Sequence, residues 1–247
     1  MEGIDYSYLS SIASKAKLVI FLGGAGVSTA SGIPDFRSPS GLYNQKKEYG
    51  YDYETILSSS FFYSHTELFY KFYFDKMVFK DAKPNKAHLA LSKFEKQGHH
   101  IVVITQNIDG LHQEAGSKDV IELHGTTRSY HCLSCYKHYG LDEINLNDIP
   151  RCSCGGIIKP DVVLYEEPLD GTKLNRSIEL IQKADLLIVG GTSLAVEPFA
   201  SLPLFYPSYK PSILINKEKT HKDDLFKYVI HDDIGNSLEK ILLGEYK

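Results

Sequence analysis

The stretch "LVIFLGGAGVSTASGIPDFR", residues 18–37, decides the fold. Five apolar residues, Leu18 to Leu22, run without alternation into a glycine-rich turn. An unbroken apolar run of that length reads as a strand covered on both faces, as in a parallel sheet. A glycine turn at the end of such a strand is where open α/β sheets hold nucleotides. Gly24 and Gly26 let the backbone turn tightly and approach a ligand. N–H groups at the start of a following helix would face a phosphate, and Ser28 and Thr29 would add hydroxyl donors. The dinucleotide fingerprint G-x-G-x-x-G is incomplete, because Thr29 stands in place of the third glycine. A dehydrogenase would also carry an acidic residue about 20 positions on, at the end of the next strand. The nearest, Glu48, lies in "NQKKEYGY" (44–51), which ends no strand. The loop predicts a nucleotide site and argues against a reusable hydride carrier. Beyond it, Pro34 stiffens the chain, Phe36 offers an aromatic plate and Arg37 a charged fork for phosphate.

Working outward, the runs Ile101–Ile104, Leu186–Val189 and Ile213–Ile215 have the same continuous character. Helical patterns lie between them. Ala87, Ala90, Leu91 and Phe94 follow i, i+3, i+4, i+7, with Gly98 as a stop. Ser237 to Leu243 reads as a last helix with Asp232 and Asp233 near its start. The alternation predicts a doubly wound, Rossmann-like α/β fold with a parallel sheet. Two segments interrupt it. Residues 49–79 hold 12 of the 29 aromatic residues and predict a helical insertion with its own core, serving as a lid or apolar wall. Within it, Ser64-x-x-Glu67, flanked by Tyr63 and Leu68, predicts a capped helix over about 65–77. The second is a cysteine cluster. The expected division is a Rossmann-like domain over 1–38, 79–128 and 159–247, a helical insertion at 39–78 and a cysteine-bearing insertion at 129–158.

The chain has 247 residues, is 43% hydrophobic and 23% charged, and carries a net charge of −4, which fits a soluble globular protein. That charge, without long runs of one sign, argues against nucleic acid or a membrane surface as partner. No apolar stretch approaches the roughly 20 residues that span a bilayer. The N-terminus has no basic region followed by an apolar core, so a cytoplasmic location is the default expectation.

All four cysteines fall in Cys132-x2-Cys135 and Cys152-x-Cys154, separated by 16 residues. The spacing is close to a zinc ribbon, with the second knuckle one residue short. Reduced thiols without metal, or a disulfide, are the alternatives. Four thiolates around one ion favour zinc in a structural role, since they leave no open position. "TQNIDGLH" (105–112) follows an apolar strand, and Gln106, Asn107 and Asp109 crowd three polar groups there. Alone it reads as an Asx turn closing the strand. "VIELHG" (120–125) ends on His124, which serves as a general base only where a proton lies within hydrogen-bond reach.

In this order, these segments resemble the sirtuin family of NAD-consuming protein lysine deacylases. "GAGVSTASGIPDFR" (24–37) resembles the family's cofactor loop, and "TQNIDGLH" with "HG" (124–125) its catalytic segments. The cysteines resemble its zinc ribbon, "KPDVVLYEEPL" (159–169) its substrate strand, and "GGTSLAVEP" (190–198) and "IN" (215–216) its later nucleotide turns. The resemblance implies that NAD is a co-substrate, cleaved at the nicotinamide–ribose bond, and that the acetyl group passes from lysine to ADP-ribose. It implies catalytic roles for His124 as base and for Asn107 and Asp109 in ordering the ribose and the nicotinamide amide, with Gln106 beside them and Ile108 between. Gly24, Ala25, Gly26, Ser28, Thr29, Phe36 and Arg37 match the phosphate and ribose loop. Thr192 and Ser193 match a phosphate turn, Asn216 with Lys217 the adenosine ribose, and Ile234 the adenine. Val163, Leu164 and Tyr165 match one strand of a peptide groove, and "SLAVEP", through Val196, the other, which implies acetylated protein substrates held by added-strand pairing. One structural zinc is implied on Cys132, Cys135, Cys152 and Cys154.

Two departures stand out. Glu166 replaces a glycine usual in the family's Phe-Gly-Glu stretch, here Tyr165-Glu166-Glu167, and would favour basic residues near the target lysine. The shortened cysteine knuckle is the other. The rival functions are an ADP-ribosyltransferase on the same scaffold and a non-enzymatic NAD-sensing scaffold. The complete catalytic set argues against both.

Overall fold

A computed structural model describes residues 4–36, 41–44 and 48–245. In chain order the helices are α1 (Tyr6–Lys15), α2 (Tyr53–Ile56), α3 (Ser59–Ser64), α4 (Thr66–Lys76), α5 (Lys86–Lys96), α6 (Leu111–Ala115), α7 (Gly171–Lys183) and α8 (Ile234–Leu243). The strands are β1 (Val19–Gly23), β2 (Ile101–Thr105), β3 (Val120–Glu122), β4 (Gly125–Cys132), β5 (His138–Gly140), β6 (Ile158–Val162), β7 (Leu186–Gly190), β8 (Ser212–Ile215) and β9 (Tyr228–Ile230). Six of them form a parallel sheet in the order β3-β2-β1-β7-β8-β9. That is the doubly wound order, and the direction of winding reverses between β1 and β7.

The continuous apolar runs follow from coverage on both faces. Val19 and Phe21 of β1, with Ile101, Val103, Leu186, Ile188, Ile213 and Ile215, point to a layer containing α1, α5 and α8. Ile20 and Leu22, with Val102, Ile104, Leu187, Val189 and Leu214, point to the opposite layer, with α7 and a 3₁₀ segment at Phe199–Phe205. Registry keeps the two sets apart: Val19 lies beside Ile101 and Leu186, and Ile20 beside Val102 and Leu187. Every residue of β1, β2, β7 and β8 is buried. Helix α5 carries the predicted apolar face and is capped by Asn85, which accepts from the Ala87 N–H while its own N–H donates to His88. No helix among the described residues is long and apolar enough to cross a membrane.

The helical insertion does not keep a core of its own. Phe62, Phe69, Tyr70, Phe72 and Tyr73 from α3 and α4 pack in one cluster with Tyr130 and Cys132 of β4, Ile158 and Val162 of β6, and Leu141, Ile144 and Cys152. The second sheet, antiparallel in the order β5-β4-β6, starts at Gly125 and ends at Val162, so it reaches past the expected limits of 129 and 158 at both ends. The short cysteine-bearing segment is too small for an apolar interior and borrows one from the aromatic helices. Tyr70 ties the two, its hydroxyl donating to the Ile158 carbonyl at 2.5 Å.

The predicted capping box fails. Ser64 is the last residue of α3, and its hydroxyl donates back to the Ser60 carbonyl at 2.8 Å. With Ser64 engaged in the preceding helix, α4 starts from His65 without a side-chain cap. Tyr70→Phe is expected to lower stability by about 1 kcal/mol or more, since a buried carbonyl loses its donor. Denaturant melts of the two proteins check this, and equal midpoints would deny the joint a structural role.

Candidate active site

The cleft opens at the carboxyl ends of β1 and β7, where the winding reverses, and encloses about 1510 Å³. Two glycine turns meet there. The Gly24 N–H donates to the Gly190 carbonyl at 3.1 Å and the Gly26 N–H to the Gly191 carbonyl at 2.8 Å. A Cβ on Gly24 would stand 2.5 Å from the Thr192 side chain and 2.6 Å from the Gly191 carbonyl oxygen; one on Gly26 would stand 2.9 Å from the Gly191 Cα. Gly191 adopts φ +62°, and its Cβ would lie 2.5 Å from the Val27 nitrogen. The two turns touch backbone to backbone, which only glycine allows.

No α-helix follows the first turn. Ala25–Val27 and Thr29–Ser31 are 3₁₀ turns, and Gly32 at φ +82° ends the second. The expected helix N-terminus facing a phosphate is therefore not formed. This also explains the missing third glycine, whose usual role is to let a helix pack closely on the sheet. Thr29 instead donates its hydroxyl to the Gly26 carbonyl and closes the turn. Asn85 braces the segment from α5, its amide donating to the Val27 carbonyl at 2.8 Å and to Ser31 Oγ at 2.9 Å.

A buried polar chain forms the cleft floor. Ser28 donates to Asp109 Oδ2 at 2.6 Å, and the Asn107 amide donates to the Gly24 carbonyl at 3.0 Å and to Ser28 Oγ at 3.1 Å. Asp109 Oδ1 accepts from the Leu111 N–H. The Gln106 amide donates to Thr192 Oγ1 at 3.3 Å, and Thr192 exchanges two hydrogen bonds with the Asn216 side chain. Asn216 thus clamps the β7 turn to the end of β8 as well as facing the cleft. Ile234 covers the end of the sheet because Gly190 has no side chain; a Cβ there would meet Ile234 Cδ1 at 2.5 Å.

His124 sits in the turn between β3 and β4 and faces the same cleft. Burial pushes its imidazole below the ordinary histidine value, against an opposing hydrogen bond to the Gln106 backbone. Gly125, at φ +80°, leaves no room for a Cβ against the Asp161 carbonyl. The His124 carbonyl accepts the Val163 N–H at 2.9 Å, which ties the histidine's backbone to the start of the 163–165 segment.

Of the residues expected at the cofactor, Ala25, Gly26, Ser28, Thr29, Phe36, Gln106, Asn107, Ile108, Asp109, His124, Thr192, Ser193, Asn216, Lys217 and Ile234 line this cleft. Gly24 lies behind it in the glycine contact. Arg37 lies outside the described residues. Glu48 is far from any such role, paired at 3.1 Å with Lys76 of α4. Val163, Leu164, Tyr165 and Val196 also line the cleft, but neither 163–165 nor 193–198 is a strand. Tyr165 already pairs with the α2–α3 junction: its N–H donates to the Leu57 carbonyl and its carbonyl accepts from the Ser59 N–H. Its hydroxyl lies 2.8 Å from that of Tyr43. Glu166 lines the cleft and stays exposed, and its carboxylate accepts from the Ser60 N–H at 2.8 Å and from Ser60 Oγ at 2.9 Å.

Two groups that the motif reading passed over support the site from behind. Arg128 Nε donates to the Asp109 carbonyl at 3.0 Å while its other end bonds Glu114. Glu167 accepts from the Lys159 ammonium at 3.2 Å and the Leu164 N–H at 2.9 Å. Asn85, which the sequence reading did not single out, carries an N-cap signal two residues before Ala87; the Arg128–Asp109 and Lys159–Glu167 pairings carry no local signal.

Away from the cleft, the sulfur atoms of Cys132, Cys135, Cys152 and Cys154 lie within 4.8 Å of one another, and all four cysteines are free of disulfides. Four thiolates around one zinc at about 2.3 Å stand roughly 3.8 Å apart. The pairs Cys132–Cys154 and Cys135–Cys152, at 3.5 and 3.6 Å, fit that spacing. The short knuckle closes because the chain reverses directly after it: the Gly155 N–H donates to the Cys152 carbonyl, with Gly155 at φ +87°. The donor set fits a structural zinc.

A family profile described as "Sir2 family" matches residues 24–198. A protein of Clostridium acetobutylicum named NAD-dependent protein deacetylase is 51% identical over 237 residues, covering 95% of this chain and 96% of its own. The chain belongs to the Sir2 family. Two solved Sir2 structures are similar over 98% of both chains. One, with a deacetylated p53 peptide and 3′-O-acetyl ADP-ribose, is 37% identical with a TM-score of 0.87. The other, with a p53 peptide and NAD+, is 38% identical with a TM-score of 0.84.

Because Cys132 and Cys152 lie in the same apolar cluster as Phe62, Phe69 and Tyr73, loss of the metal should loosen α3 and α4 as well as the cysteine segment. Purified protein is expected to contain close to one zinc per chain. Chelation should raise hydrogen exchange across residues 59–76 along with 129–158, and Cys154→Ala should reduce activity without touching the chemistry. Folded, active protein lacking zinc would refute the assignment.

Proposed function

We propose that this chain is an NAD-consuming protein lysine deacetylase that moves the acetyl group from lysine to ADP-ribose and releases nicotinamide. The observation that carries this reading is the placement of a half-buried His124, its imidazole held below the ordinary histidine value by desolvation, in the same cleft as the paired glycine turns. Bound NAD supplies a cleavable nicotinamide–ribose bond and an ADP-ribose acceptor. The rest falls to the chain's own side chains and backbone. The glycine turns admit a pyrophosphate against bare backbone. Asn107, Asp109 and Ser28 present a fixed polar floor toward the ribose and the nicotinamide amide, and Ala25, Thr29 and Phe36 close over them. Gln106, Thr192, Ser193 and Asn216 line the way toward the adenosine, with Lys217 and Ile234 at its far end.

His124 is assigned the base. One ring nitrogen bonds the Gln106 backbone, which leaves the other to accept a proton from a ribose hydroxyl. The acyl-lysine peptide is assigned to the groove between 163–165 and 193–198. An edge that waits for a ligand has no ladder of its own, which accounts for the lack of strands there. The Val163 carbonyl takes no hydrogen bond among the described residues. Ribbon and helices share one interior and together form the groove's outer wall; the division assigned is a Rossmann-like part (1–38, 79–128, 159–247) with a helical insertion (39–78) and a zinc ribbon (129–158) whose sheet extends from Gly125 to Val162. Reduced thiols in a metal-binding set suit a cytoplasmic location.

The decisive experiment measures nicotinamide release from NAD with and without acetylated peptide, and follows the acyl group. Peptide-dependent release with free lysine and acetylated ADP-ribose supports deacetylation. ADP-ribose attached to protein would point to transferase activity, and no release to an NAD-binding scaffold.

His124→Ala is expected to reduce free-lysine formation by roughly 10²–10⁴-fold while NAD binding persists. In the unaltered protein, burial disfavours the imidazolium, so the base form survives to lower pH than in an exposed histidine. The acid limb of kcat/KM should then fall below about 6.5. A limb above that value, or near-normal turnover by the variant, would remove His124 from the role.

Uncharged acyl groups should be preferred. No arginine occurs between Arg37 and Arg128, and the wall around Tyr73, Met77 and Leu57 is apolar or aromatic. The cation beside that wall, Lys76, is already paired with Glu48 and Asp75, so a carboxylate placed there would have to compete for it. Faster turnover of succinyl-lysine than of acetyl-lysine would contradict this.

A further inference from the structure

Glu166 is one of three non-glycine residues at positive φ among the described residues, at +75°. An L residue at that angle is disfavoured unless its surroundings hold it there. Here the side chain supplies the hold. Both carboxylate oxygens are engaged by one residue, Oε2 by the Ser60 N–H and Oε1 by the Ser60 hydroxyl. Ser60 stands in the first turn of α3, where backbone N–H groups have no helical partner. Its neighbours repeat the connection. Ser59 N–H donates to the Tyr165 carbonyl and Ser59 Oγ to Glu167, while Tyr165 N–H donates to the Leu57 carbonyl. Residues 165–167 are thus bonded, one after another, to residues 57–60.

We propose that Glu166 is a positioning residue for the acyl-lysine peptide: by latching the start of α3 to the chain that leaves Tyr165, it sets the direction of the 163–165 edge. This rests on the deacetylase reading above. The geometry bears on the peptide rather than on NAD. Val163 and Leu164 lead directly into the latched turn, whereas the glycine turns and the Asn107–Ser28–Asp109 floor are braced from β7, α5 and β4. A latch of charge-assisted hydrogen bonds can hold a strained turn that glycine would leave loose. Both carboxylate oxygens take hydrogen bonds from Ser60, and the role assigned here is this positioning rather than contact with a charge on the substrate.

Three variants test this: Glu166→Ala, Glu166→Gly and Glu166→Gln. Alanine loses the carboxylate and keeps the strain, glycine loses both, and glutamine keeps one acceptor. Peptide KM should rise roughly three- to tenfold in the alanine and glycine variants, the order of one solvent-exposed hydrogen bond. It should rise less in the glutamine variant, with kcat and the KM for NAD within about twofold throughout. A glycine variant with unaltered peptide KM would overturn the proposal, because relief of strain would then need no latch. A second arm compares a peptide carrying arginine beside the acetyl-lysine with a neutral one. Their kcat/KM ratio should be the same in the original protein and the glutamine variant; a ratio that falls in the variant would mean that Glu166 reads the peptide directly, and would also overturn it. Hydrogen exchange at the Ser59, Ser60 and Tyr165 amides, measured without substrate, keeps the latch separable from the activity. Faster exchange there in the glycine variant supports the latch even if the protein proves not to be a deacetylase, and unaltered exchange refutes it.

Discussion

The close contact of two glycine turns at the reversal of the sheet is the constraint on which the rest of this structure depends. Gly24 and Gly26 at the end of β1 lie against Gly191 after β7, close enough that a methyl group on any of them collides with backbone or with Thr192. The contact brings Gln106, Thr192 and Asn216 into a single hydrogen-bonded set. It also frees the first turn from the helix that usually follows it, so that the chain runs through two 3₁₀ turns toward Phe36 and the helical insertion. A polar floor and an open cleft are the result.

Around that contact the catalytic face is built from segments far apart in sequence. β4 serves several of them at once. Its first residue, Gly125, packs against Asp161 without a Cβ and places His124. Thr127 and Arg128 hold the carbonyls of Ile108 and Asp109. Its far end carries Cys132 into the thiolate cluster. A single eight-residue strand therefore connects the candidate base, the polar loop and the metal site, which gives a structural zinc a mechanical route to the chemistry without any part in it.

The aromatic helices and the cysteine segment show how two insertions, each too small to bury enough surface alone, form a common interior. The same helices reach the groove through α3, whose first turn receives Glu166 and Glu167. The groove wall is accordingly a product of the insertions, and the cofactor floor a product of the sheet.

The existence of β1, β2, β7 and β8, their burial on both faces and the location of the glycine turn were legible in the sequence, because unbroken apolar runs and glycine pairs are local properties. The same holds for the metal ligands, whose spacing is itself a short-range feature, and for the motif residues that line the cleft. What the tertiary structure alone decided is how side chains with several possible partners spend their bonds. Ser64 could cap α4 or close α3, and the nearer carbonyl of Ser60 takes it. Glu166 sits at the cleft, and the donors at the start of α3 take its two carboxylate oxygens. Thr29 could donate to a ligand or to its own turn, and it closes the turn. Periodicity encodes which face of an element is apolar; it does not encode which donor from a distant segment arrives within 3 Å of a given acceptor, since that depends on how the packed elements meet.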